Sequence, residues 1–116
     1  MKYILLMYGS EERWQSMGKE DMERIYAAHR AYGEEMRKAG VVRGGAELKP
    51  ISTATTVRFT GGRPRTTDGP FAETKEQLGG YYIIEVDDLE QGLAWAEKMP
   101  GMTDGGVEVR PLGVGA

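Results

Sequence analysis

Two apolar runs constrain the fold of this chain more than any other feature of its sequence. The first run, at residues 3–8, reads YILLMY, and the second, at residues 81–86, reads YYIIEV. Both are rich in residues that suit a central strand, and in both runs apolar side chains point to the two faces of that strand. A sheet built around these runs therefore needs cover on both faces.

Weaker patterns predict the elements around these strands. Residues 19–39 are predicted to form a helix, and residues 89–99 a second helix capped by Asp87 and Asp88. Further strands are predicted at 41–49, 53–60 and 106–112, with a hairpin turn at Gly61-Gly62. The first helix has an inward stripe at spacings of three and four, made of Met22, Ile25, His29, Tyr32, Met36 and Ala39.

The order of these elements predicts an α+β fold of the ferredoxin-like type. Without the extra hairpin the order is βαββαβ, which gives an antiparallel sheet with both helices on one face. The opposite face of the sheet then has no cover within one chain. Because symmetric dimers are the commonest oligomers, we expect a homodimer in which two sheets pack face to face.

Length and composition limit the classes of function. A chain of 116 residues fits a single domain, spanning 1–116. The net charge of −3 gives no field that attracts nucleic acid or an anionic membrane, and no apolar run approaches the ~20 residues that span a bilayer. The N-terminal run is too short for a signal peptide, and the chain has no cysteine, so we expect a cytoplasmic protein.

No metal or cofactor is expected from the sequence. One histidine among scattered acids gives no recognisable spacing of metal ligands. The chain also has no glycine-rich phosphate loop in the required context and no G-x-S-x-G nucleophile motif.

The candidate chemistry depends on His29 and Asp68. His29 is the one histidine of the chain, and Asp68 begins the segment DGPFAETKEQLGG at residues 68–80. An imidazole oriented by a carboxylate can act as a general acid or base. Two simpler interpretations stay open: a core histidine that hydrogen-bonds a backbone carbonyl, and an aspartate that hydrogen-bonds its own turn.

Side chains next to this pair are candidates for contact with a substrate. Phe71 is expected to enter the core or to cap a pocket wall, and Glu73 and Lys75 form either a surface ion pair or part of a pocket. Arg58, Arg63 and Arg65 fit a solvated hairpin tip better than a clamp for an anion. The candidate substrate-binding residues are Gly69, Pro70, Phe71, Glu73, Lys75 and Tyr82.

Several segments carry a resemblance to a known family. The run DGPFAETKEQLGGYYIIEV, together with MKYILLMY, IYAAHRAYGEEMRKAG and GGAELKP, resembles the DGPF-type proteins of the YCII-related superfamily. The resemblance implies a ferredoxin-like fold that dimerises into an α+β barrel, with His29 and Asp68 as an active-site pair. It also implies a functional link to sigma factors of the extracytoplasmic-function type.

Two functions from different classes follow. The first is a cofactor-independent enzyme in which the His29–Asp68 pair abstracts a proton from a small organic molecule. The reaction classes that use such a step are isomerisation, elimination and dehydrohalogenation. The second is a non-catalytic protein that binds a small ligand or acts as a regulatory accessory to a sigma factor.

Overall fold

A computed structural model describes residues 1–113 of the chain, so the last three residues of the predicted 1–116 domain lie outside the described part. No helix among the described residues is long and apolar enough to cross a membrane. The elements, in chain order, are β1 (Lys2–Gly9), α1 (Glu11–Gln15), α2 (Lys19–Lys38), β2 (Val42–Glu47), a 3₁₀ turn (Ile51–Thr53), β3 (Thr55–Thr60), β4 (Arg63–Asp68), β5 (Gln77–Glu85), α3 (Leu89–Glu97) and β6 (Gly106–Pro111).

The main sheet has four strands in the order β2-β5-β1-β6, and every neighbouring pair is antiparallel. The two apolar runs form its central strands, β1 and β5, with Tyr3 opposite Ile84 and Ile4 opposite Ile83. This strand order, with helices α2 and α3 as the crossovers, is that of a ferredoxin-like α+β fold. The predicted fold class is therefore confirmed.

Helices α2 and α3 pack on one face of this sheet. The α2 side chains of Tyr32 and Met36 are buried together with Tyr3 and Leu5 of β1. In α3, Gly92 is buried, and a Cβ at this position would lie 3.6 Å from the ring of Tyr3. This is an ordinary van der Waals distance, so α3 packs directly on β1 at this point.

The other face of the sheet is apolar and less well covered. Side chains alternate along a strand, so Ile4 and Leu6 point away from the core that contains Tyr3 and Leu5. Ile4 pairs with Ile83, and Leu6 pairs with Tyr81. All four of these apolar residues keep intermediate exposure, and this face is where the expected second copy would pack.

The β3–β4 hairpin is separate from the main sheet and forms a two-stranded sheet of its own. It exposes apolar side chains to solvent: Val57 is 51% exposed and Phe59 is 71% exposed. The radius of gyration is 15.9 Å, whereas a compact chain of this length has about 13 Å. The hairpin is therefore an extended arm.

Residues 9–18 contain the short helix α1, which is not among the elements predicted from the sequence. The hydroxyl of Ser10 caps this helix by accepting a hydrogen bond from the backbone N–H of Arg13 at 3.2 Å, an arrangement that favours a helix start. Trp14 then packs against Gly9 and Gly79.

Candidate functional site

A cavity of about 520 Å³ lies between α2, α1 and the β2–β5 side of the sheet. Such a volume falls in the range of small-molecule sites in proteins. Most of its lining is apolar, and a few polar side chains lie among the apolar ones. The lining residues are Met7, Glu11, Trp14, Gln15, Met22, Ile25, Tyr26, His29, Gly45, Ala46, Glu47, Leu48, Pro50, Gly79, Tyr81, Tyr82, Pro100, Gly101 and Met102.

Glycines on β2 and β5, at or next to the cavity, occupy positions where a side chain would collide with its neighbours. A Cβ at Gly79 would lie 2.6 Å from the indole of Trp14, and one at Gly80 would lie 2.8 Å from Cε of Met7. A Cβ at Gly45 would lie 2.8 Å from the carbonyl oxygen of Tyr81. These distances are too short for real side chains. The glycine pair near the start of β5 therefore has a steric reason to be there.

The inward stripe of α2 divides into two parts. Its C-terminal half, with Tyr32 and Met36, belongs to the core, whereas Met22, Ile25 and His29 face the cavity. His29 is partly buried, and its Nδ1 lies 2.9 Å from the hydroxyl oxygen of Tyr82 on β5. The alternative of a core histidine bonded to a backbone carbonyl is therefore wrong, because the imidazole lines an open cavity and pairs with a phenol.

The environment of His29 favours the neutral imidazole. Burial lowers the pKa of His29 from its ordinary value of 6.5, and the carboxylate of Glu47 opposes this effect more weakly. Burial also raises the pKa of Tyr82, so its phenol stays protonated at neutral pH. A neutral imidazole has one N–H, and its tautomer decides whether Tyr82 donates or accepts the hydrogen bond.

A second polar pair lies one helical turn away. Tyr26 precedes His29 by three residues, so both side chains lie on the same face of α2. The hydroxyl of Tyr26 donates a hydrogen bond to Oε1 of Glu47 at 3.0 Å, and this bond raises the pKa of Tyr26. The cavity wall therefore combines a neutral base with a phenol and a carboxylate.

Within one chain, Asp68 lies away from the cavity and from His29. It is the last residue of β4, it pairs with Thr55 across the hairpin, and it is exposed. None of the residues at 68–75 is among those that line the cavity. Of the site residues expected from the sequence, the structure of one chain thus brings His29 and Tyr82 together and leaves the others at the end of the hairpin arm and in the loop after it.

The loop after β4 folds back on its own hairpin. The backbone N–H of Gly69 donates to the carbonyl oxygen of Ala54 at 2.7 Å, and the hydroxyl of Thr56 donates to the carbonyl oxygen of Gly69 at 2.7 Å. The φ angle of Gly69 is +108°, a value that side-chain-bearing residues rarely adopt. The glycine of the DGPF segment thus has a structural role in this turn.

Phe71 does not enter the core. Its side chain is 68% exposed, and the guanidinium of Arg58 lies 4.3 Å from the centre of its ring. Arg58 also donates a hydrogen bond to the carbonyl oxygen of Phe71. This cation–π contact provides the ring with a partner on the outside of the hairpin. Glu73 and Lys75 follow in an exposed segment, and the roles of Pro70, Phe71, Glu73 and Lys75 in binding stay predictions.

Sequence reasoning missed several residues of the cavity. Glu47 lies on β2, for which the sequence gives only a weak strand pattern. Glu11 lies on α1, which was not predicted from the sequence. Tyr26 follows the α2 stripe at a spacing of three from His29, so this periodicity was the one available signal. Within residues 1–113, no group of three or more His, Cys, Asp or Glu side chains is close enough to hold a metal ion.

Titration of the lone imidazole tests the electrostatics of the site. We expect the NMR-measured pKa of His29 to lie below 6.5, because burial penalises the charged form. Glu47→Gln is expected to lower this pKa further, since it removes the nearby negative charge. Glu12→Gln removes the same charge from an exposed position outside the cavity and is expected to leave the pKa unchanged. Equal effects of the two variants on the pKa of His29 would contradict the placement of Glu47 beside this imidazole.

Fold and cavity together define a ferredoxin-like α+β domain with a neutral histidine at an apolar pocket. The family model of the YCII-related domain matches residues 1–113, and the chain belongs to this family. A relative in Rhizobium meliloti (strain 1021), called uncharacterized protein R00369, is 37% identical over 114 residues. That match covers 97% of this chain and 92% of the relative. The resemblance to YCII-related proteins noted in the sequence is thereby confirmed.

Proposed function

We propose that this protein is a small acid–base enzyme that moves a proton on a small, largely apolar organic substrate. The observation that supports this proposal best is the position of His29, a partly buried imidazole that faces the cavity and pairs with Tyr82. Since its lowered pKa keeps it neutral at pH 7, the imidazole is in the form that accepts a proton.

The chemistry of the lining limits the reaction. The cavity contains no cysteine, serine or lysine side chain, so the described lining offers none of these as a nucleophile. General acid–base catalysis contributes roughly 10²–10⁴-fold, which suits an activated C–H bond. We therefore propose isomerisation, elimination or dehydrohalogenation as the reaction class.

Asp68 enters this proposal through a second copy of the chain. An isolated two-stranded hairpin is at best marginally stable in water, and here the hairpin exposes Val57 and Phe59. The open face of the main sheet is also apolar. We propose that these surfaces support a homodimer in which the 68–75 loop of one copy reaches the cavity of the other, with Asp68 orienting His29 and the residues Gly69, Pro70, Phe71, Glu73 and Lys75 contacting the substrate.

Deuterium exchange tests the proposed reaction without knowledge of the natural substrate. A panel of small ring-containing ketones, each with one activated C–H, is incubated with the protein in D₂O and followed by mass spectrometry. We expect deuterium to enter compounds that, in a Trp95→Phe background, quench the fluorescence of Trp14, which lines the cavity. The exchange rate is expected to rise with pH and to level off above the pKa of His29 measured by NMR.

Binding without exchange would overturn this function. If compounds occupy the cavity and none of them exchanges above the buffer rate, the protein is not a proton-transfer catalyst. That outcome favours the second candidate, a ligand-binding or regulatory accessory protein. This candidate is supported by the contacts of His29 within residues 1–113 of one chain. There the imidazole has Tyr82 as its hydrogen-bond partner, and not a carboxylate. The cytoplasmic location and the link to a sigma factor stay predictions.

A further inference from the structure

The charged side chains that line the cavity are both acidic. They are Glu11 from α1 and Glu47 from β2, and the described lining includes no lysine or arginine. His29 does not compensate this charge at pH 7, because burial lowers its pKa. The cavity therefore has a negative potential in an apolar surrounding, where charges interact more strongly than in bulk water.

Contacts with the surrounding protein hold both carboxylates in place. Oε2 of Glu11 accepts a hydrogen bond from the backbone N–H of Ile51 at 2.9 Å. Oε1 of Glu47 accepts the hydrogen bond from Tyr26 at 3.0 Å. An ionised carboxylate has about four acceptor sites on its two oxygens. One hydrogen bond each positions these groups and leaves them able to accept from a ligand.

Aromatic and thioether side chains form much of the remaining wall. The indole of Trp14 and the phenols of Tyr26 and Tyr82 line the cavity, and aromatic ring faces attract cations. The thioethers of Met7, Met22 and Met102 are also part of the lining. Methionine adapts to irregular apolar shapes and contacts aromatic rings favourably. The wall thus suits a ligand with a flat apolar body and a positive charge.

We propose that the cavity selects an apolar amine, with its ammonium group at Glu11 and Glu47 and its ring body against Trp14 and the methionines. This inference rests on the proposed function for the role of the site, and it adds the class of substrate. An organic anion of the same shape meets two carboxylates and no lining cation, so binding of such a ligand is disfavoured.

Three probes of matched shape test this selectivity: 1-naphthylmethylamine, 1-naphthalenemethanol and 1-naphthoic acid, a cation, a neutral molecule and an anion at pH 7. Their affinities are measured by isothermal titration calorimetry at low ionic strength, since salt screens charge interactions. We expect the amine to bind roughly tenfold more tightly than the alcohol, about the effect of one charge-assisted hydrogen bond. The acid is expected to bind more weakly than the alcohol.

Variants of the two glutamates link the selectivity to the cavity. Glu11→Gln and Glu47→Gln are each expected to lower the affinity for the amine and to leave that for the alcohol nearly unchanged. Glu12→Gln changes the net charge equally outside the cavity and serves as the control. In a Trp95→Phe background, Trp14 is the one tryptophan left, and its fluorescence reports occupancy of the site directly.

These measurements need no turnover, so they separate the two proposals. Selective amine binding without any deuterium exchange would overturn the enzyme and support the ligand class. Tighter binding of the acid would overturn the amine proposal even where exchange is observed. Equal binding of amine and alcohol, unchanged in both glutamine variants, would overturn it as well.

Discussion

Leu5→Ala is expected to lower the free energy of unfolding by about 2–5 kcal/mol. Leu5 is 0% exposed, and it lies on the central strand β1 between Tyr82 of β5 and Val109 of β6. Truncation removes apolar contacts with both neighbouring strands and leaves a cavity that the surrounding core fills only in part. Since the whole stability of a domain is about 5–15 kcal/mol, urea denaturation followed by circular dichroism would register the loss as a clear shift of the midpoint.

Leu89→Ala makes the same chemical change on the surface. Leu89 begins α3 and is 48% exposed, so we expect its truncation to cost less than about 1 kcal/mol. Alanine is also a good helix former, which limits any loss of helix propensity. Equal losses in the two variants would show that the core does not lie between β1 and the helices.

Most of the main sheet could be predicted because its signals are strong and local. The apolar runs at 3–8 and 81–86 became β1 and β5, and the 3.6-residue stripe of α2 placed Tyr32 and Met36 in the core. Burial of apolar surface is the dominant favourable term in folding, so long and strongly patterned segments have few alternative arrangements.

The cavity could be predicted only in part, because it depends on contacts between distant segments. The stripe of α2 pointed to His29, and the apolar run of β5 pointed to Tyr82. The pairing of these two side chains, 53 positions apart, follows from the register of the sheet and the placement of α2. Glu47 joins them from a strand that glycine weakens, where side-chain alternation gave little signal.

The DGPF segment shows why a distinctive motif need not mark the pocket of its own chain. Its glycine is required by a turn with positive φ, and its phenylalanine packs against Arg58 outside the core. The glycine turn and the contact between Arg58 and Phe71 both shape the end of the hairpin. Sequence alone does not reveal whether such a loop serves its own cavity or that of a second copy, since this depends on quaternary arrangement.

Loss of His29 is expected to have the largest effect on catalysis. His29→Gln keeps a polar side chain of similar size but removes the base, so we expect the deuterium exchange rate to fall roughly 10²–10⁴-fold. Asp68→Asn is expected to lower the rate as well, because an amide does not stabilise the imidazolium that forms during proton transfer. Circular dichroism and urea denaturation of both variants would show that they remain folded.

Mixing these two impaired variants then tests whether the site is shared between copies. In a homodimer that combines His29 of one copy with Asp68 of the other, a mixed dimer of His29→Gln and Asp68→Asn has one intact site and one doubly altered site. With random exchange of subunits, half of the dimers are mixed, so about a quarter of the wild-type activity should return. A mixture of His29→Gln with the His29→Gln/Asp68→Asn double variant contains no intact site and should stay inactive. If both mixtures stay inactive although light scattering shows subunit exchange, the hairpin of one copy does not serve the cavity of the other.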